Sequence, residues 1–419
     1  MKVLIVSTYD AQGGAARAAF RLCEALNEHG SDCRMAVLNK TSDAIFVGSQ
    51  RGLRAKLAHK IGHSHVGKRL QRLQQSANEN PRSLALFGTG IVDAINRSDA
   101  DVVNLHWVHG EMFSVHDFMR IRKPVVWTLH DMWAFCGSEH YVDDEPGARW
   151  RAGYSRSNRD QNDRGLDLDR WVWERKRRGW QKELNLVTPS RWLADCCRES
   201  ALLGDWPVEA IANPLDLDTF RPWPKEVARA ALKLPLDKKL ILFGAHGEDR
   251  SGRKGVDLLY GAMRHLIGSG VAAHGVIFGR SAPENPPDVG MPLYWTGRLN
   301  DDITLALLYS AADVMVVPSR MDNLPQTGTE AQSCGCPVVA FRIGGLPDIV
   351  EHKKTGYLAE PFDIEELAMG IRWVIEDSAR TATLSAAARA RSLREWGTVG
   401  LVDRYKSAYQ AAIDTFHAK

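Results

Sequence analysis

The sequence lacks the features that would set it apart from ordinary globular proteins. No uninterrupted apolar stretch in its 419 residues approaches the roughly 18–20 needed to cross a bilayer. Residues 1–7 carry one cation and too short an apolar core for a secretory leader. Cysteine is sparse: the seven are an odd number, none forms a Cys-x-x-Cys pair, and Cys334 and Cys336 are too close for the usual zinc spacing. Their hydrophobic neighbourhood suits buried thiols. Excess charge is missing too. With 54 Lys+Arg against 51 Asp+Glu the net charge is only +3, which argues against wholesale nucleic-acid binding and confines any basic patch to a local segment. No internal repeat or low-complexity tract stands out. What is present, 44% hydrophobic and 25% charged residues, suits a folded chain, and at about 100–200 residues per domain the length suggests two domains. The expectation is a cytoplasmic two-domain protein.

The apolar runs are short and bounded by polar or turn residues, as strands buried on both faces would be. In the first half they cover 2–7, 101–105, 124–129 and 184–187, and Gly13-Gly14 follows the first and opens a helix. Three prolines between Pro214 and Pro224 suit a hinge. Beyond it, strands are expected at 239–243, 273–278, 293–295, 313–317 and 337–341, with helices at 256–267, 302–311, 327–333 and 364–377. A closing helix sets Leu401, Tyr405, Ala408, Tyr409, Ala412 and Phe416 on one face. The pattern is α/β: two Rossmann-like, doubly wound domains facing each other across a cleft. The expected boundaries are 1–212, a linker at 213–224, 225–395, and a helix at 396–419 crossing back to the first domain.

The densest candidate site runs Pro318-Ser319-Arg320-Met321-Asp322-Asn323-Leu324-Pro325-Gln326-Thr327-Gly328-Thr329-Glu330. It follows a strand and opens a helix whose first turn offers free N–H groups and a positive dipole end, a seat for phosphate. Asp322 and Glu330, eight positions apart, would grip different parts of one long ligand. Taken by themselves, Asp322 is equally a helix cap and Glu330 a solvated first-turn acid.

Segment 318–350, with Glu330-Ala331-Gln332-Ser333-Cys334-Gly335-Cys336-Pro337 and Gly344-Gly345-Leu346-Pro347-Asp348, resembles glycosyltransferase family 4, a retaining family with the GT-B fold. Further motifs appear in family order: Gly13-Gly14, Thr128-Leu129-His130-Asp131, Val187-Thr188-Pro189-Ser190, Asn213-Pro214-Leu215-Asp216, Arg253-Lys254-Gly255 and Ala312-Asp313 through Ser319. The Asp322-Asn323 pair and Thr128–Trp133 are most similar to bacterial exopolysaccharide transferases of the colanic-acid type.

The resemblance implies transfer of a hexose from a UDP- or GDP-linked sugar to a glycan, with retained anomeric configuration. It makes His130 and Asp322 the catalytic candidates. Gly13, Gly14, Lys254, Arg250, Asn323, Leu324, Thr327 and Glu330 are the donor-binding ones. Lys254 would neutralise the diphosphate, with Arg250 or Arg253 in place of the family arginine. Asp322 would contact the hexose, Glu330 the ribose hydroxyls, and the N–H groups of Asn323 and Leu324 the sugar. Glycines let a backbone approach phosphate or acceptor. Lysine and helix dipole stand where other transferases use a cation, so no metal or other cofactor is expected. Asp131 is read as an orienting or capping group, and His106 and His109 as weaker candidates.

Two basic stretches bear on the acceptor. Residues 51–72 carry seven Lys/Arg and no acid, and 149–180 carry ten Lys/Arg, five acids and four tryptophans. Either is a solvated surface or a contact with the inner face of the cytoplasmic membrane, where a polyprenyl-diphosphate-linked acceptor would be presented. The expected partners are thus a nucleoside-diphosphate sugar and a glycan or lipid-linked acceptor, with no nucleic acid. The alternative is a degenerate GT-B scaffold that binds sugar or nucleotide without catalysis.

Overall fold

β-Branched and aliphatic runs too short for helices build two parallel sheets, each with its own core. The computed structural model describes residues 1–49, 66–244, 252–268, 270–299 and 301–418. The chain divides into two compact units, Met1–Pro214 with Val399–Lys419, and Leu215–Thr398.

The first unit contains β1 (Lys2–Tyr9), β2 (Asp32–Asn39), β3 (Val47–Ser49), β4 (Gln74–Gln75), β5 (Val102–Leu105), β6 (Val125–Thr128), β7 (Arg164–Gly165), β8 (Asn185–Thr188) and β9 (Val208–Ala210). Seven of these form one sheet in the order β3-β2-β1-β5-β6-β8-β9, with every pairing parallel. β4 and β7 make a separate antiparallel ladder. The second unit contains β10 (Lys239–Gly244), β11 (Ala273–Phe278), β12 (Leu293–Gly297), β13 (Val314–Val317), β14 (Val338–Phe341) and β15 (Gly356–Ala359), ordered β12-β11-β10-β13-β14-β15 and again all parallel. In each sheet the order reverses once, between β1 and β5 and between β10 and β13. Beyond the carboxyl ends of those strand pairs lies the natural ligand position of a doubly wound sheet.

The closing helix, Thr398–Ala418, buries Leu401, Val402, Tyr405, Tyr409 and Ala412 in the first unit's core with Ile5, Leu22, Leu26 and Val126. Lys406 fastens it by donating to the His29 carbonyl at 2.7 Å. The proline-rich segment read as a hinge is anchored in the second unit from Leu215 onward. Leu215 N donates to the Trp396 carbonyl, Arg389 holds the carbonyls of Leu217 and Phe220, and Phe220 is fully buried. All seven cysteines are buried thiols.

Candidate functional site

In the second unit, the turn after β13 is built around Asp322. Its Oδ2 lies 2.5 Å from Lys254 Nζ and accepts from Ser319 Oγ at 3.1 Å; its Oδ1 lies 3.4 Å from Arg253 Nη1. The chain holding those cations is fixed locally. Arg253 O accepts from Arg320 N at 2.7 Å, and Arg320 also grips Asp257 and the Gly252 carbonyl. Gly255 has φ +67°, and a Cβ there would meet the Pro318 carbonyl oxygen at 1.9 Å, so only glycine lets the Lys254 loop lie on the strand end. Behind the acid, Gly345 N donates to Asp322 O at 2.9 Å, and a Cβ on Gly344 would stand 2.5 Å from the same oxygen. The Gly344-Gly345 pair is therefore the back wall of Asp322.

Asp322 is buried and is not a helix cap. The helix Gln326–Ser333 begins at Pro325 with no side-chain cap, and Asp322 Oδ1 accepts from Asn323 N at 3.2 Å. Burial pushes the Asp322 carboxyl up, but Lys254 and Arg253, with hydrogen bonds from Lys254 and Ser319, outweigh it and hold the group below the usual range. Two cations thus face one carboxylate just before a helix N-terminus, a set of donors that suits an anion.

Glu330 is not solvated either. It is buried on the same helix, and its Oε2 accepts from Tyr309 Oη at 2.8 Å. Tyr309 comes from the helix Asp302–Ala311 and was not singled out from the sequence, where it reads as one more apolar-face residue. Leu324 is a buried side chain, and Thr327 sits against the end of β10, where a Cβ on Gly244 would be 3.3 Å from its Cγ2. The structure therefore gathers Lys254, Asp322 and Asn323 at one point, with Arg253 beside them. Arg250, the other arginine proposed for the phosphate, lies outside the described residues.

In the first unit, Gly13 has φ +88° with open space where a Cβ would go, and the helix Gly14–Glu28 begins immediately after it. His130 follows β6, half-buried, and its Nε2 is 2.9 Å from His106 Nδ1. Burial lowers His130 to about 4 against the opposing pull of Asp131, and burial with the neighbouring His130 keeps His106 well below the usual histidine range. The histidines treated as lesser candidates are thus structural neighbours of the chosen one.

A second buried group joins His109, Asp131 and His140, whose candidate ligand atoms all lie within 4.8 Å of one another. The carboxylate is already supplied with donors: Oδ2 takes His140 Nδ1 at 2.6 Å and Trp107 Nε1 at 3.1 Å, and Oδ1 takes Trp133 N at 3.0 Å. His140 Nε2 meets Ser83 Oγ at 2.8 Å. An ion would have to displace these bonds next to Lys176, whose charge also disfavours a cation at His109. Asp131 and His140 are thus held in a hydrogen-bond network with Trp107, Trp133 and Ser83.

The segment 149–180 differs from its reading as an interfacial surface. Trp150, Trp173 and Trp180 are buried, and Trp180 Nε1 donates to the Val115 carbonyl at 2.8 Å. Lys176 is fully buried, donating to the carbonyls of Trp133, Cys136 and Gly137 with its ammonium 3.5 Å from the Trp133 ring centre. Burial brings it down to about 7. A signal existed: Leu168, Val172, Trp173 and Lys176 share a helical face. Trp171 is the exposed tryptophan, and Leu166 and Leu73, whose backbones bond at 2.8 Å, are exposed too. Residues 51–65 of the other basic stretch lie outside the described residues.

Two doubly wound parallel sheets, each with polar and charged groups at the carboxyl ends of its central strands, define the GT-B class of glycosyltransferase. A family model described as Glycosyltransferase Family 4 matches residues 12–219, and one described as Glycosyl transferases group 1 matches 224–391. The chain belongs to the family 4 glycosyltransferases. D-inositol 3-phosphate glycosyltransferase 1 of Catenulispora acidiphila is 31% identical over 250 residues, 55% of this chain and 59% of that one. The D-inositol 3-phosphate glycosyltransferase of Mycolicibacterium smegmatis is 27% identical over 356 residues, 82% of this chain and 75% of its own. For other curated relatives of the same description the match spans about half their length. Among solved structures, Anabaena HepE in complex with UDP-glucose superposes with a TM-score of 0.65 at 17% identity, covering 98% of this chain and 100% of that one, a likeness of fold.

Proposed function

We propose that the protein transfers a hexose from a nucleoside-diphosphate sugar to a glycan acceptor with retention of configuration. The observation that carries this reading is the Lys254–Asp322 pair, with Arg253 beside it, at the start of the Gln326–Ser333 helix. The departing diphosphate gains negative charge as the sugar becomes oxocarbenium-like, so fixed positive groups at the phosphate lower the barrier most. Lys254 has three N–H donors, so it can hold phosphate oxygens as well as a carboxylate. Asp322 aims the ammonium and contacts the hexose; Glu330, held by Tyr309, accepts from the ribose hydroxyls. His130 accepts from a sugar hydroxyl. This arrangement supplies the charge that a metal ion supplies in other transferases, and the reaction proceeds without one. The UDP and UDP-glucose bound by HepE support a uridine donor.

For the acceptor, the reading is a polyprenyl-diphosphate-linked glycan in exopolysaccharide or O-antigen synthesis, met at an anionic membrane surface. Its support is the exposed Leu73–Leu166 pair, with Arg159 on the Leu166 carbonyl, and the exposed Trp171 with Arg175 over its ring. No helix among the described residues is long and apolar enough to cross a membrane.

The test is chromatographic detection of nucleoside diphosphate released from UDP- and GDP-hexoses in EDTA. Release by the wild type that falls at least about tenfold in Glu330→Ala supports the transferase. Donor binding without release, with or without lipid-linked acceptors, identifies a sugar-binding scaffold.

A further inference from the structure

Asn104, on β5, fixes the direction of a buried chain of hydrogen bonds. Its Nδ2 lies 3.1 Å from the Val126 carbonyl oxygen and 3.0 Å from Thr128 Oγ1. A carbonyl only accepts, so the amide nitrogen must face Val126 and Oδ1 must be the opposite, accepting end. Tyr409 Oη donates to that Oδ1 at 2.7 Å from 305 positions away in the sequence, and His106 Nε2 lies 3.1 Å from it. Because Oδ1 cannot donate, His106 Nε2 carries the hydrogen. In the neutral ring His106 Nδ1 is then an acceptor, so in its 2.9 Å hydrogen bond His130 Nε2 is the donor. Burial keeps both imidazoles neutral, so the alternative in which a cationic His106 donates toward His130 is disfavoured.

We infer that Asn104, His106 and Tyr409 are positioning residues whose hydrogen bonds hold His130 as its Nε2–H tautomer, leaving Nδ1 as the acceptor. The relay itself rests on hydrogen-bond direction between imidazoles kept neutral by burial. Its catalytic consequence rests on the hexosyl-transfer reading: with the proton held on Nε2, His130 Nδ1 is an acceptor and does not supply a proton to the leaving group. The relay also gives the closing helix a place in the chemistry, because Tyr409 completes the acceptor shell of Asn104. The three residues come from β5, the turn after it and the last helix; the spacing of two sets Asn104 and His106 on one side of the strand, and nothing in the sequence brings Tyr409 to them.

The test reads the tautomer directly, by NMR of the imidazole nitrogens in the ¹⁵N-labelled full-length protein, with His130 assigned by loss of its signals in His130→Gln. In the wild type Nε2 is protonated and Nδ1 is not. His106→Gln preserves the pattern, since its amide donates to Asn104 and its carbonyl accepts from His130. Asn104→Asp replaces the amide by a carboxylate, charges His106 and inverts His130 to Nδ1–H. His106→Phe, the variant to use if the buried carboxylate prevents folding, removes the constraint and yields a mixture. On turnover, Asn104→Asp lowers kcat about tenfold to a hundredfold with the donor KM within about threefold, and His106→Gln retains most of the activity. An Nδ1–H tautomer in the wild type, or an unaltered single tautomer in both Asn104→Asp and His106→Phe, overturns the relay whatever the turnover. The expected tautomers in a wild-type protein that turns over no nucleotide sugar uphold the relay and overturn the transfer reading instead.

Discussion

The two units share a topology and differ in what stands at the carboxyl ends of their strands. In the first, His106 bonds His130, Asp131 accepts from His140, and Lys176 is held by backbone carbonyls, while burial lowers His130 to about 4 and Lys176 to about 7. In the second, Lys254 and Arg253 crowd a single carboxylate at the mouth of a helix. One design holds buried donors and acceptors in fixed directions; the other offers cations to an anion. A doubly wound sheet supplies the position of a site, and its chemistry comes from a handful of side chains in the turns.

The sharpest way to break this comparison is Lys254→Ala. It removes the cation from the anion seat and leaves Asp322 with Arg253 as its remaining cation. Turnover of a nucleotide sugar should fall by about a hundredfold or more, and the stability measured by urea unfolding should drop on the order of 3 kcal/mol as a buried carboxylate loses its partner. A variant with full turnover would make the two units alike in indifference to charge.

The next effect lies in the first unit and concerns pH. Burial, then the charge of Asp169, raise Glu139 to about 8 from its ordinary 4.5. Between those values the folded protein keeps a proton that the unfolded chain has given up, so stability falls as pH rises through the window. Lys176 acts in the opposite sense above it: with a folded value of about 7 against 10.5, it makes stability rise as pH climbs between the two. Glu139→Gln should therefore gain on the wild type from pH 5 to pH 8, by on the order of 2 kcal/mol in urea unfolding. A constant difference across that range would mean that Glu139 is ionised in its network.

Smallest is Tyr309→Phe, which frees Glu330 Oε2 from its hydroxyl donor. Donor affinity measured by calorimetry should weaken about threefold with little change in stability, the usual worth of one hydrogen bond that orients rather than touches the ligand.

Much of this arrangement was legible before any coordinates. Runs such as Ala273–Phe278 are short, β-branched and sharply bounded, and the expected strand coincides with the observed one. β2 was missed because Asp32 and Arg34 interrupt its apolar run, and β15 because Gly-Tyr-Leu-Ala is too short to announce itself. Lys254, Asp322 and Glu330 were readable because a helix start and a glycine-rich turn bracket them in sequence. Lys176 was not: within a helix of arginines its burial depends on carbonyls some 40 residues away, at Trp133, Cys136 and Gly137. The Asn104–His106–Tyr409 chain was hidden for the same reason, since Tyr409 looked only like part of an apolar face.

The most direct measurement is isothermal titration of UDP and GDP in EDTA against the wild type and Lys254→Ala. Binding of one nucleoside diphosphate to the wild type, weakened about tenfold or more in the variant, is the result expected if the second unit is the anion seat. Equal binding to both proteins would contradict it, and would move the phosphate away from Lys254.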